Sequence, residues 1–381
     1  MSINSKLRKE GIEILEQLNT LKVNTVATNI ASKLCLAFPE HNLNRSQLFA
    51  ALSRLNMYVA KMPMDFTGAK YFYKNNSIYF NENLTLDEMS DLAVHECIHY
   101  IQESKDSNNN LTKMGLYNFS FNYGLGINEA AVQLMASEAN MSKFTSETYF
   151  GVLLKTNSPD YYPLECSLVN QMAYFTGTYP LYHSTLYSND IFKKTFILKS
   201  DKKTYSTIVR NLDKLLALET DLNYLSSELQ YSDKVNTIKL LNKLIVSKKA
   251  SIKDLYYRTQ NLIIEKCFTA EFNDIRNLED IKSFTKKLYN YKNVMGSSDD
   301  YSFYNEFYCK MMELIESKKE YIKQFGEISL FEINDTTNNS LVVLNNSKNA
   351  FDFVNILFSK IRKLFNPNRG ISKNINWKNL R

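Results

Sequence analysis

Apolar residues at Ile12, Leu15, Leu18 and Leu21 recur at helical spacing, and the pattern predicts helix through residues 1–62, with a second helix over 46–60. The period then changes. Tyr71-Phe-Tyr and Ile78-Tyr-Phe flank the polar run Lys74-Asn-Asn-Ser, which predicts two short strands about a turn. Thr85 with Glu88 forms a capping box, and Leu86, Met89, Ala93 and Cys97 follow at helical spacing, so a helix runs on to about Gln102. Ser107–Asn110 breaks it. A strand is predicted over 116–123, after which Gly124-Leu-Gly126 marks a turn, Asn128 is placed to cap, and an apolar helix follows through Glu138. From Leu181 to Met295 there is neither glycine nor proline. Apolar residues there recur periodically (Leu212, Leu215, Leu216, Leu222; Ile238, Leu241, Leu244, Ile245), which predicts a helical bundle extending to about Gln324. Strict heptads do not persist, so no coiled coil is expected. A polar linker at 334–349 precedes a stripe of Val354, Leu357, Phe358, Ile361, Leu364 and Phe365, predicting an amphipathic helix over 350–365.

These elements predict an α+β chain, predominantly helical. A catalytic-type domain with a small antiparallel sheet is expected over residues 1–199 and a helical bundle domain over 200–330. The linker, amphipathic helix and basic tail occupy 331–381. At 381 residues the chain has room for both domains, and 44% hydrophobic with 23% charged residues is an ordinary globular balance. The N-terminal residues carry no apolar signal core, and no run of eighteen apolar residues exists, so neither secretion by that route nor a membrane span is expected. Five scattered cysteines, odd in number, suit a reducing cytoplasm better than a disulfide framework.

Charge changes the picture only at the end of the chain. Beyond Asp352 there is no acidic residue, while Lys360, Arg362, Lys363, Arg369, Lys373, Lys378 and Arg381 are all basic, so the overall charge of +6 resides in the tail. Residues 350–381 therefore have three readings: an element docked on the bundle, a contact with an anionic membrane surface that would place the protein at the membrane periphery, or a contact with nucleic acid. No motif beyond charge supports the last, and nucleic acid is not an expected partner.

The candidate chemistry lies in the helix behind Thr85. His95-Glu96-Cys-Ile-His99 places two histidines four residues apart, one turn along one side of a helix, at the separation where two imidazoles can grip one Zn2+ ion. Only four histidines exist in the chain, and two fall in this pattern. Glu96, beside the first ligand, is placed to act on a water as general base. A catalytic zinc needs a third ligand, and Glu129, at the head of the next helix, is the leading candidate. Glu138 and His183 are rivals, and a plain helix-dipole role for Glu129 is the alternative. His183 or Tyr182, in Tyr179-Pro-Leu-Tyr182-His183, is the expected donor to an oxyanion.

His95-Glu96-x-x-His99 with Asn128-Glu129-Ala resembles the gluzincins, the zincin clan of zinc metallopeptidases whose third ligand is a downstream glutamate. The resemblance covers about residues 85–140 and is one of motif. It implies a zincin-like fold there, a zinc cofactor held by His95, His99 and Glu129, and a peptide or protein substrate. Where gluzincins often carry an aspartate that orients the first histidine, this chain has Gln133. Glu129-Ala-Ala-Val-Gln133-Leu-Met-Ala is also faintly similar to metallopeptidases that cleave phage-type repressors, without their usual proline ending. The expected function is zinc-dependent peptide hydrolysis. The alternatives are a non-catalytic zincin-like protein-binding module and a membrane-surface adaptor acting through the tail.

Overall fold

The computed structural model describes residues 7, 11–62, 68–296, 302–328, 330–331 and 342–343. Apart from an antiparallel pairing of Leu330–Phe331 with Val342–Val343, the expected linker, terminal amphipathic helix and basic tail lie outside the described residues. The chain is mostly helical with small sheets. No helix among the described residues is long and apolar enough to cross a membrane.

The N-terminal region departs from its expected helices. Glu13–Gln17 is a strand, β1, and helix begins only at Thr20–Ala37, α1. The reason is local: Gly11 adopts a left-handed conformation (φ 72°), and Asn19 accepts a hydrogen bond from the Lys22 amide, which starts the helix afresh. The second helix, α2, stops at Leu52 (Arg45–Leu52), and Asn56–Lys61 becomes strand β2. A hairpin of β3 (Ala69–Phe72) and β4 (Ser77–Asn81) follows as expected. The sheet has the order β1-β2-β4-β3 and is mixed, not antiparallel, because β2 and β4 run parallel. Strand β3 is thus an outer edge.

Helix α3 (Leu86–Ile101) ends where expected, with Gln102 at its C-terminal cap, ahead of the break at Ser107. The three-stranded meander β5 (Glu103–Lys105), β6 (Leu111–Met114) and β7 (Tyr117–Asn118) follows it. The strand expected over 116–123 is only the two residues of β7. Helix α4 (Leu125–Ala139) is the centre of the surrounding packing: twelve of its fifteen residues are buried, and a helix apolar on every side requires neighbours all round. Those neighbours are α1, α3, α5 (Pro163–Thr176), α6 (Thr178–Tyr187) and α8 (Lys202–Gln230). A hairpin of β8 (Thr145–Tyr149) and β9 (Val152–Thr156) and the short α7 (Ile191–Leu198) complete this part.

The compact units divide elsewhere than at residue 199. One comprises residues 1–267 with 291–301, the other 268–290 with 302–381. Helix α8, assigned from sequence to a separate bundle, belongs with the first unit because it caps and packs α4. Asp213 accepts from the amides of Gly124 and Gly126 at 2.9 and 2.8 Å, satisfying two of the free N–H groups at the helix start. A Cβ on Gly126 would stand 2.5 Å from the Leu212 carbonyl oxygen, so only glycine lets the two backbones meet so closely. The second unit contains the end of α9 (Val235–Asp274), α10 (Leu278–Asn290) and α12 (Ser302–Phe325); the short α11 (Lys292–Met295) belongs to the first.

Candidate metal centre

The start of α3 sets the phase of the site. Thr85 accepts from the Glu88 amide while Glu88 accepts from the Thr85 amide at 2.7 Å, the reciprocal pair expected from the sequence. With the first turn fixed, Met89, Ala93 and Cys97 go into the core, and His95 and His99 project together towards α4. Glu129 meets them from the second turn of α4. One carboxylate oxygen, Oε2, lies 3.3 Å from His95 Nε2 and 3.4 Å from His99 Nε2, and the two Nε2 atoms are 3.0 Å apart. Among the described residues this is the one group of three or more His, Cys, Asp or Glu placed to share a metal ion.

Hydrogen bonds behind the rings decide what those three atoms present. His99 Nδ1 is 2.8 Å from Gln102 Oε1, and His95 Nδ1 is 2.8 Å from Gln133 Oε1. The orientation of the Gln102 amide is set by its Nε2, which donates to the Thr185 carbonyl at 2.9 Å, a group that can only accept. Its Oε1 therefore faces His99, whose Nδ1 must carry the hydrogen. Gln133 turns its Oε1 to His95 Nδ1 while its Nε2 donates to the Ser137 hydroxyl at 3.3 Å, and in that orientation it receives the Nδ1–H of His95. Both neutral imidazoles consequently turn an Nε2 lone pair towards the carboxylate of Glu129. Three electron-pair donors converge with no donor hydrogen among them, an arrangement that requires a proton or a metal cation at its centre.

The electrostatics say the same. Burial alone would lower the His99 pKa, but the charge and hydrogen bond of Glu129, with Glu96 and Gln102 behind, outweigh it and raise it to about 9. Burial would raise that of Glu129, yet the two imidazoles hold its carboxyl well below the usual range. A proton held among these groups is one solution. The donor set also fits zinc: ligand atoms about 2.0–2.1 Å from a tetrahedral Zn2+ are about 3.3 Å from one another, the spacing present here.

Asn128, expected to cap α4, instead lies inside it and is fully buried; Gly124 holds the cap position. Its Oδ1 accepts from the Leu116 amide at 2.9 Å, and its Nδ2 donates to Gln102 Oε1 at 3.2 Å, tying the meander to the histidine support. Glu96 is turned towards the sheet, where its carboxylate accepts the Tyr71 amide of β3 at 2.6 Å. Gly68 pairs with Asn81 through its carbonyl, so the alternation of an antiparallel ladder turns the N–H and C=O of Ala69 and Tyr71 away from β4, on the Glu96 side.

Neither family models, nor curated proteins, nor solved structures match this chain.

Other residues singled out in the sequence lie elsewhere. Glu138 accepts from the Tyr182 hydroxyl at 2.7 Å, which commits both. His183 sits in a ring cluster with His41, Tyr179 and Tyr187 and bonds Asn189 through Nδ1 at 2.9 Å. None of these three joins the His95, His99 and Glu129 group. The residue that does approach it is Tyr162. Its ring stacks on His95 at 6.0 Å between centroids, and the charge of Glu129 is the largest influence keeping its hydroxyl protonated. Tyr162 occupies the left-handed position (φ 51°) immediately before Pro163, the first residue of α5. A Tyr-Tyr-Pro junction with no periodicity gave it no signal in the sequence beyond the helix start that proline favours.

Proposed function

We propose that the chain is a zinc-dependent peptidase. The observation that carries the reading is the convergence of two Nε2 lone pairs and one carboxylate oxygen, each backed by a hydrogen bond or a helix that fixes its direction. His95, His99 and Glu129 would hold the ion. Zinc when bound supplies Lewis acidity and lowers the pKa of water towards neutrality. Glu96, next to the first ligand, takes a proton from the attacking water and hands it to the leaving amine. Tyr162, kept protonated by the charge of Glu129, donates a hydrogen bond to the developing oxyanion, the role expected of Tyr182 or His183 from sequence. The outward N–H and C=O of Ala69 and the C=O of Tyr71, whose N–H is taken by Glu96, offer an extended peptide a strand edge beside Glu96.

A second reading, a non-catalytic zincin-like module, has one observation in its favour: Glu96 is already engaged by the Tyr71 amide, as a structural carboxylate would be. One experiment separates the two. Elemental analysis should find about one zinc per chain, lost in His95→Ala and retained in Glu96→Gln. A proteome-derived peptide library should be cleaved by the wild type and spared by Glu96→Gln. Zinc without cleavage selects the module; a metal-free wild type after zinc reconstitution removes both.

A further inference from the structure

Within the second unit, α10 and α12 lie antiparallel. The Ile328 amide donates to the Arg276 carbonyl at 3.1 Å at one end, and the Tyr304 hydroxyl donates to the Leu288 carbonyl at the other. Between them runs a groove of about 650 Å³. Its α10 wall is the stripe Leu278, Lys282, Lys286 and Tyr289, and its α12 wall includes Met312, Ile315, Lys319 and Lys323. These positions recur every three or four residues, so each helix gives one face to the groove, with the buried Ile281 lining it as well, while Phe284 and Leu288 of α10 are buried outside it. Leu278 and Tyr289 are exposed although their neighbours are packed.

The rim is one-sided in charge. Four lysines line the groove against a single acid, Glu316, which is itself paired with Lys319 at 3.1 Å. Lys286 and Lys323 have no carboxylate within ion-pair distance among the described residues. Among the described residues the groove lies open on one side, and the span from Leu278 to Tyr289 is about 16 Å, or three helical turns. An open trough suits a ligand that brings its own second surface more than a slender lipid chain, which needs enclosure. The chain's own apolar stripe at 354–365 is a poor match, since Lys360, Arg362 and Lys363 would face the lysine rim.

We propose that this groove binds an amphipathic helix of a partner protein, its apolar residues spaced i, i+3 or i+4, i+7 and flanked by Asp or Glu. The apolar floor takes the stripe, and Lys282, Lys286, Lys319 and Lys323 take the acids.

The test is selection from a displayed library of helical 16-residue peptides, unbiased in charge, against the full-length protein. Enriched sequences should be acidic at the flanks of an apolar stripe. Their affinity for Lys286→Glu/Lys323→Glu should fall by about tenfold or more, with a smaller loss for Lys286→Gln/Lys323→Gln and a decline with added salt. Both variants are checked for an unchanged melting profile, and bound peptide should slow hydrogen exchange in α10 and α12. Failure to enrich any sequence, enrichment of basic ones, or peptides indifferent to the charge reversal would overturn the proposal. So would acidic peptides that bind only after residues 344–381 are removed, which would make the tail the occupant. These outcomes do not depend on whether the metal centre is catalytic.

Discussion

At the scale of single residues, the two glutamines behind the histidines are the most informative. Gln133 stands where an aspartate would more often orient the first histidine, yet it receives the Nδ1–H of His95 at 2.8 Å and so fixes the same tautomer without adding charge. Gln133→Ala should weaken zinc binding by about 10–100-fold while leaving the melting temperature of the metal-free protein nearly unchanged, as competition with a fluorescent chelator would measure. Gln102→Leu should do more, because it also strips partners from buried Asn128 and the Thr185 carbonyl, a cost of about 1–3 kcal/mol read by denaturant unfolding. A second residue-level consequence lies away from the candidate site. Glu165 is fully buried, and burial first, then the nearby Glu219 carboxyl to which it is hydrogen-bonded, push its pKa well up. Burial likewise raises Glu219, to about 7. Both folded values lie above the unfolded range near 4.5, so the native state holds more protons, and the pair's contribution to stability falls as pH rises from about 4.5 through 7. Glu219→Gln should flatten that decline and stabilise the protein at pH 8 by about 1–3 kcal/mol, measured by urea unfolding across the range. A variant with the wild-type pH profile would contradict this.

At the scale of elements, Glu129 is positioned by a helix whose start is made by another helix. Asp213 of α8 caps the head of α4, and Gly126 lets the α8 backbone approach. Asp213→Ala should cost about 0.5–2 kcal/mol, as loss of a cap does, and weaken zinc binding although it touches no ligand. Gly126→Ala should be worse, because its Cβ would press on the Leu212 backbone, which has no flexible end to move aside. This dependence also explains what was legible in the sequence. The α3 capping box, the β3–β4 hairpin and the His95, His99 face are written in residues close together, and each appears as read. Asn56–Lys61 reads as a continuation of helix, yet lies as a strand between β1 and β4, because partners distant in sequence give it ladder hydrogen bonds on both sides. The role of Asp213 had no local signature: its partners lie about ninety residues earlier. Tyr162 was hidden for the same reason, since only the fold brings residue 162 against His95.

At the scale of the molecule, metal binding and folding should be linked, because the three candidate ligands come from two helices that only tertiary packing brings together. An unfolded chain offers His95, His99 and Glu129 no common centre, so zinc that binds the native state stabilises it by mass action, by about 4 kcal/mol when free metal is a thousandfold above the dissociation constant. Calorimetry should therefore show a melting temperature that climbs with zinc concentration in the wild type and in Glu96→Gln, but not in Glu129→Ala. Hydrogen exchange adds where the gain falls. Protection should rise in α3, α4 and the start of α5, the segments carrying His95, His99, Glu129 and Tyr162, when zinc replaces a chelator. A zinc-independent melting temperature with unaltered exchange in α3 and α4 would mean that a proton, rather than a metal, occupies the point where the three electron pairs meet.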